Sequence, residues 1–227
     1  MGLFRKYFEN VTEAPEECED IESKNTLQLY WYVVRTFFWK IILLNMLFVA
    51  TCIPVITIPA SIAAMSRICM KWIMGQHVDL KDDYFAEFKA SFWKSWVFVL
   101  LAVFMVGLLI VACFAYYSLL NGVLMTIIMI LCLIWAFWIF SLGCYAFSMQ
   151  ASTDLSTMAI IKNSVLLSVI AFPTTLLLAV LPGVVYFVCA LFFPVTLPLL
   201  IFGIISFAQL GVCAITLKPI IKHVLCS

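Results

Sequence analysis

Residues 95–153 read SWVFVLLAVFMVGLLIVACFAYYSLLNGVLMTIIMILCLIWAFWIFSLGCYAFSMQAST. These 59 residues, bounded by Lys94 and Asp154, contain no Asp, Glu, Lys or Arg. A membrane-spanning helix needs about 20 apolar residues, so the stretch holds two spans, with Asn121-Gly122 as the turn between them. Working outward, the 55 residues between Lys162 and Lys218 are also without charge, and so are the 26 between Lys40 and Arg67. The long gap holds two more spans and the short one a helix and a little more. The pattern predicts an all-α, polytopic membrane helix bundle of about six apolar segments.

Composition agrees with the charge map. Of the 227 residues, 66% are hydrophobic and 11% charged, against roughly 45–50% and about 25% in soluble domains. There is too little polar surface to wrap a water-soluble globule of this size. A soluble enzyme, intrinsic disorder and a secreted disulfide scaffold are excluded. A net charge of +1 implies no nucleic-acid partner. Most of the nine cysteines lie in apolar segments and none forms a CxxC, which reads as apolar packing rather than a disulfide framework. Residues 1–30 carry seven acids between Glu9 and Glu22 and no apolar core of a signal peptide.

Two regions follow. Residues 1–35 form an N-terminal segment with an acidic linker, ending in a Tyr30, Trp31, Tyr32 belt suited to a membrane interface. Residues 36–227 form a single transmembrane domain. Its first apolar run, about 36–53, meets PVITIP at Pro54–Pro59, where proline ends or bends a helix. Residues 61–75 resume a helical pattern, giving an N-terminal proline-turn hairpin, either fully spanning or re-entrant. Spans follow at about 96–118, 123–147, 164–191 and 196–217. Pro173 and Pro182 should kink the third of these, and Pro194 and Pro198 bracket the last turn. If residues 36–75 go in and come back, every loop bearing Lys or Arg falls on one side, which puts both termini in the cytoplasm. The tail then carries Lys218, Lys222 and His223.

The polar stretch 76–94 supplies the main candidate site. Asp82 suits a helix N-cap. Phe85, Phe88, Phe92 and Trp96 are spaced 3, 4 and 4 on one face, with Asp83, Glu87 and Lys94 on another. This describes an amphipathic helix lying in the interface and running into the next span. It either anchors the fold to the membrane surface or docks a partner, and Asp83, Phe85, Phe88, Lys89 and Phe92 are the candidate contacts. Four polar residues fall within or beside apolar segments. Arg67 lies eight residues beyond Pro59, roughly 12 Å along a helix, and with Lys71 either snorkels to phosphates or faces a polar cavity or a partner subunit. Asn45 and Gln209 either join helices by hydrogen bonds or line a polar path. Trp135 and Trp138 sit mid-span as packing bulk or as a stacking platform for sugar.

Nothing in the sequence composes an active site. The only histidines are His77 and His223, and no HExxH, GxSxG or P-loop pattern occurs. Residues 95–153 and 163–217 contain no Asp, Glu, Lys, Arg or His. The expectation is a non-enzyme with no metal and no cofactor, whose contacts are the lipid bilayer and other membrane proteins.

Residues 41–94 carry a resemblance. The stretch IILLNMLFVATCIPVITIPASIAAMSRICMKWIMGQ, followed after five residues by DDYFAEFKASFWK, resembles the YesL-like family of bacterial integral membrane proteins of unknown function. The matching positions are Leu44, Asn45, Pro54, Thr57, Ala60, Lys71, Gly75, Asp83, Phe85, Phe88, Lys89, Phe92 and Lys94, over about a quarter of the chain. The family's usual glycine after Thr-Ile is absent, since Pro59 follows Ile58 directly. The resemblance implies a multi-pass protein of the bacterial plasma membrane. Such proteins are typically encoded beside carbohydrate ABC transporters, glycoside hydrolases and two-component sensors. It therefore implies an accessory subunit of carbohydrate uptake, with ABC permease subunits as partners. A stand-alone transporter or channel, or a membrane scaffold or sensor partner, are the alternatives.

Overall fold

The computed structural model describes residues 25–119, 123–192 and 203–222. The acidic linker, the Asn121-Gly122 turn, the Pro194–Pro198 turn and His223 lie outside the described residues. Within them the chain is helical and contains no strand.

Helix α1 runs Thr26–Cys52 and is interrupted at Phe37, whose backbone leaves helical angles (φ −115°, ψ 21°). The PVITIP turn is where the prolines place it. Pro54 precedes a single 3-10 turn, Val55–Thr57, and α2 follows at Ile58–Ile73. Pro59 sits in the first turn of α2, where a missing N–H leaves no helical bond unmade. The hydroxyl of Thr57 donates to the carbonyls of Thr51 and Pro54 and ties the turn together. At its other end α2 stops on Gly75, at φ +72°. The N–H of Gln76 reaches the Lys71 carbonyl (2.9 Å) and that of Gly75 the Trp72 carbonyl (3.2 Å). This paired closure needs a left-handed residue that glycine adopts without a Cβ clash.

Helix α2 is the centre of the molecule. Its small residues Ala60, Ser61, Ala63, Ala64 and Ser66 are all buried. Helix α1 and the helices Leu80–Leu119, Val123–Ser152 and Ile205–Ile220 close around it.

Helix α3 runs Leu80–Leu119 without interruption, about 60 Å at 1.5 Å per residue. The segment expected at 82–94 runs without a break into the span that follows it. Helix α4 is Val123–Ser152. Helix α5, Thr157–Ile170, is capped by the Ser156 hydroxyl, which accepts from the Ala159 N–H at 3.4 Å. Helix α6 is Phe172–Leu191, and α7 is Ile205–Ile220.

The expected kink at Pro173 is a break. Helices α5 and α6 meet at 103° across Ala171, because Pro173 lacks an N–H and its ring excludes the preceding turn. Thr175 repairs part of the loss, its hydroxyl donating to the carbonyl of Ser168 at 2.9 Å.

Helices α1, α3 and α4 are each long and apolar enough to cross a membrane, and α5 with α6 adds a fourth if the bent pair is one span. The expected six apolar segments are therefore supported only as three or four. Helix α2 has 16 residues, about 24 Å, short of the hydrocarbon thickness of about 30 Å.

The described residues fall into two tiers. From Val97 to Tyr116 of α3, and from Leu124 to Phe140 of α4, most large side chains are apolar and exposed. At and beyond those limits the same two helices have buried faces: Tyr84, Ser91, Ser95 and Phe98 on α3, and Ser141, Tyr145, Ser148 and Met149 on α4. Twenty mostly exposed apolar residues of α3 match the hydrocarbon layer. The buried, polar-lined tier lies at one end of it.

Candidate functional site

Arg67 and Lys71, four apart on α2, meet Glu87 and Asp83, four apart on α3. Lys71 Nζ meets Asp83 Oδ1 at 2.8 Å, and Arg67 Nε lies 3.9 Å from Glu87 Oε2. Asp83 also accepts the Asp79 N–H at 3.0 Å, and Glu87 accepts the Ser91 hydroxyl. Arg67 Nη1 donates to the carbonyl of Ala151 at 2.5 Å. Ala151 is in the last turn of α4, where carbonyls lack helical donors and the helix dipole is negative. Arg67 thus closes α4 as well as pairing with Glu87.

Depth follows from residue counts. Glu87 precedes Val97 by ten residues, about 15 Å along α3, and Ala151 follows Phe140 by eleven, about 16 Å along α4. Both routes place Arg67 outside the exposed apolar layer. In the structure the Arg67 guanidinium is held by this chain's own carboxylate and carbonyl.

Asn45 and Gln209 serve helix contacts. Asn45 Oδ1 accepts the Ser206 N–H (3.1 Å) and hydroxyl (3.3 Å), joining α1 to α7. Gln209 Nε2 donates to Ser66 Oγ at 2.8 Å, joining α7 to α2, and Ser66 in turn donates to the Ile62 carbonyl at 2.7 Å. All four candidates, Asn45, Arg67, Lys71 and Gln209, lie on or around α2.

The aromatic row of α3 divides. Phe88 is half-buried and stacks on Tyr84 (ring centroids 6.4 Å apart, planes 20°), and Phe92 packs edge-on to Phe88. Phe85 is 44% exposed, Trp93 is 79% exposed, and Lys89 is exposed with them. Spaced by four, Phe85, Lys89 and Trp93 share the outward face. The core face is Tyr84, Phe88, Ser91, Ser95 and Phe98, in a 4-3-4-3 spacing that binary hydrophobicity hides because two of its members are serines.

Two further polar clusters carry little sequence signal. Tyr84 OH lies 2.7 Å from Thr51 Oγ1, which also accepts the Ser61 hydroxyl at 3.0 Å, locking the turn end of the hairpin to α3. At the α5–α6 break, Tyr145 OH lies 2.7 Å from Thr174 Oγ1, Ser141 Oγ donates to the Thr175 carbonyl at 3.2 Å, and Trp138 Nε1 donates to Ser168 Oγ at 3.2 Å. A tyrosine opposite a Thr-Thr pair just after a span proline is the only sequence signal for the second.

Among the described residues, no three His, Cys, Asp or Glu stand together as a metal ion would require, and the described cysteines are free thiols. The arrangement offers hydrogen bonds, ion pairs and exposed aromatic surface. No curated protein and no solved structure matches the chain. Residues 41–113, the unit from α1 through α2 into α3 that holds the paired charges, match a family described as a protein of unknown function, DUF624.

Proposed function

We propose that the chain is a non-enzymatic accessory subunit of a membrane transport assembly, tied by its YesL-like resemblance to carbohydrate uptake of the ABC type in a bacterial plasma membrane, with both termini cytoplasmic. The observation that carries this reading is the division of labour on α3. One face is spent on the molecule's own core, through the Asp83 and Glu87 pairs and the Tyr84 stack. The opposite face leaves Phe85, Lys89 and Trp93 outward, below a charge-free span. Aromatic anchors at helical spacing beside a cation are what a partner helix or groove accepts.

Purification of the tagged chain from its native host in mild detergent tests the reading. Permease subunits should accompany it, and their yield, normalised to monodisperse protein, should fall with Phe85→Asp. Recovery of a sensor kinase without permease subunits would instead favour a scaffold role. The hydroxyl-lined break at Ala171 supports a second reading, a stand-alone transporter, because discontinuous helices line substrate sites in many carriers. Sugar flux through proteoliposomes of the chain alone would establish that role and remove the accessory one.

A further inference from the structure

We infer that the first three turns of α1, up to the break at Phe37, form a headgroup site for an anionic phospholipid, with the Arg35 guanidinium on the phosphate. The site is independent of the partner-docking reading above, which rests on α3.

The first argument is the make-up of the face. Leu29, Val33 and Val34 bury one side of these turns in the core, and the Tyr30 ring lies against Gly211 of α7. The other side carries Leu27, Gln28, Trp31, Tyr32, Arg35 and Thr36, all exposed. They form two neighbouring rows at a spacing of four, 27-31-35 and 28-32-36. Between the rows runs an open groove of about 460 Å³. Tyr30 packs edge-on to Trp31, with ring centroids 6.1 Å apart, so the outer indole is held by a ring that is itself packed.

The second argument is chemistry. The groove presents donors and no carboxylate. Arg35 supplies a planar fork that matches two phosphate oxygens. Trp31 adds an indole N–H, and Tyr32 and Thr36 add hydroxyls. Gln28 Oε1 accepts the Asn25 N–H at 3.2 Å, which leaves its NH₂ to donate. Residues 25–66 contain Arg35 and Lys40 and no Asp or Glu. Arg67 and Lys71 are answered by Glu87 and Asp83, whereas among the described residues no carboxylate pairs with Arg35 or Lys40. An anion complements this face.

The third argument is depth, and it selects a lipid as the source of that anion. Ile41 opens the charge-free run that ends before Arg67, and α1 is long and apolar enough to cross a membrane. Trp39 and Lys40 are exposed at its threshold, and Lys40 Nζ lies 5.5 Å from the Phe37 ring centroid. Arg35 precedes Ile41 by six residues, about 9 Å on a helix, and any tilt reduces that depth. The headgroup layer is about 5–8 Å deep on each side. The long stem of an arginine covers the difference, and Trp and Tyr concentrate at this level. The same face continues beyond Trp39 as Leu43 and Met46, apolar and exposed. The surface thus passes from donors to hydrocarbon contact in the order in which a phospholipid presents its phosphate and its acyl chains.

Native mass spectrometry of the full chain in an uncharged detergent tests the site. Phosphatidylglycerol should bind several-fold more tightly than phosphatidylcholine with the same acyl chains, which carries the same phosphate with a cation attached. Arg35→Gln should abolish that preference while keeping the wild-type unfolding temperature, because the side chain is exposed. Arg35→Lys, which keeps the charge but not the fork, should retain part of it. Lys89→Gln, which removes an exposed cation of α3, should leave it intact. An excess of sodium glycerol phosphate should not displace the lipid. Equal binding of the two lipids would overturn the inference, as would a preference that survives Arg35→Gln or falls as far with Lys89→Gln. Displacement by glycerol phosphate would mean that the groove takes a soluble phosphate ester, and the lipid assignment would fall. Loss of a co-purified protein with Arg35→Gln, at unchanged lipid preference, would assign the face to a protein partner and equally overturn it.

Discussion

Arg67 shows how one side chain can close three helices. Its guanidinium extends from α2 to a carboxylate of α3 and to the end of α4, and its side chain is only 18% exposed. A charge-assisted hydrogen bond contributes about 1.5–3 kcal/mol, so Arg67→Ala should lower unfolding stability in detergent by about that much. Lys89→Ala, on the exposed face, should stay within about 0.5 kcal/mol. Equal losses for the two variants would show that the guanidinium is not structural. The neighbouring rung gives a sharper test. Lys71→Asp and Asp83→Lys should each destabilise by placing like charges in contact, and the double exchange should recover most of the loss. Failure of the double variant to recover would mean that the pair is not formed in solution.

At the scale of elements, helix ends are readable in the sequence and helix faces are not. Pro54, Pro59 and Gly75 announce the hairpin because each imposes a backbone conformation that no neighbour can overrule. The 82–94 segment announces itself as amphipathic, but the face its pattern marks overlaps the buried one only in part, at Phe88, and leaves Phe85 outward. Aromatic residues at 85, 88 and 92 outweigh Ser91 and Ser95 on any hydrophobic scale, yet the serines are buried in the core, and their small volume is what lets the helices approach. Gln150 meets Ser95 across that approach at 3.3 Å, a pair 55 residues apart that no local pattern encodes. The same holds for Asn45 with Ser206 and for Gln209 with Ser66: each polar residue stands out in its apolar segment, but the partner is chosen by tertiary packing. The break at Ala171 is legible only as a kink, because its 103° turn depends on α4 offering Ser141 and Tyr145 to the freed groups. Thr175→Val leaves the Ser168 carbonyl without that donor and should cost about 1–3 kcal/mol. Ser152→Ala removes a half-buried hydroxyl that bonds only back to its own helix, and should cost less than about 1 kcal/mol. Thermal unfolding of both variants in one detergent decides it.

For the whole molecule, the question is where the bilayer ends. Length and composition alone allow α1, α3 and α4 to span, but packing adds a constraint. Helix α2 lies against the part of α3 that bears Asp83 and Glu87, and α1 lies against α2, with Phe37 stacked on Trp72. If the hydrocarbon covered that level, the six charged residues from Lys81 to Lys94 would be drawn into it at about 2.5–3.5 kcal/mol each on insertion scales. The exposed apolar surface from Val97 to Tyr116, with its partner surface on α4, takes the hydrocarbon at no such cost. The expected arrangement is therefore a bilayer that meets the upper tier, with the α2-centred tier at its boundary. Nitroxide labels at single engineered cysteines along α3, on a cysteine-free background, read this directly. A label at Phe104 should collide with dissolved oxygen and be shielded from a water-soluble nickel relaxant, while a label at Ala86 should show the reverse. The crossover should fall between Trp93 and Val97. A label at Ala86 that behaves like the one at Phe104 would mean that the charged half of α3 is immersed, and the boundary assigned to Arg67 and its partners would have to be abandoned.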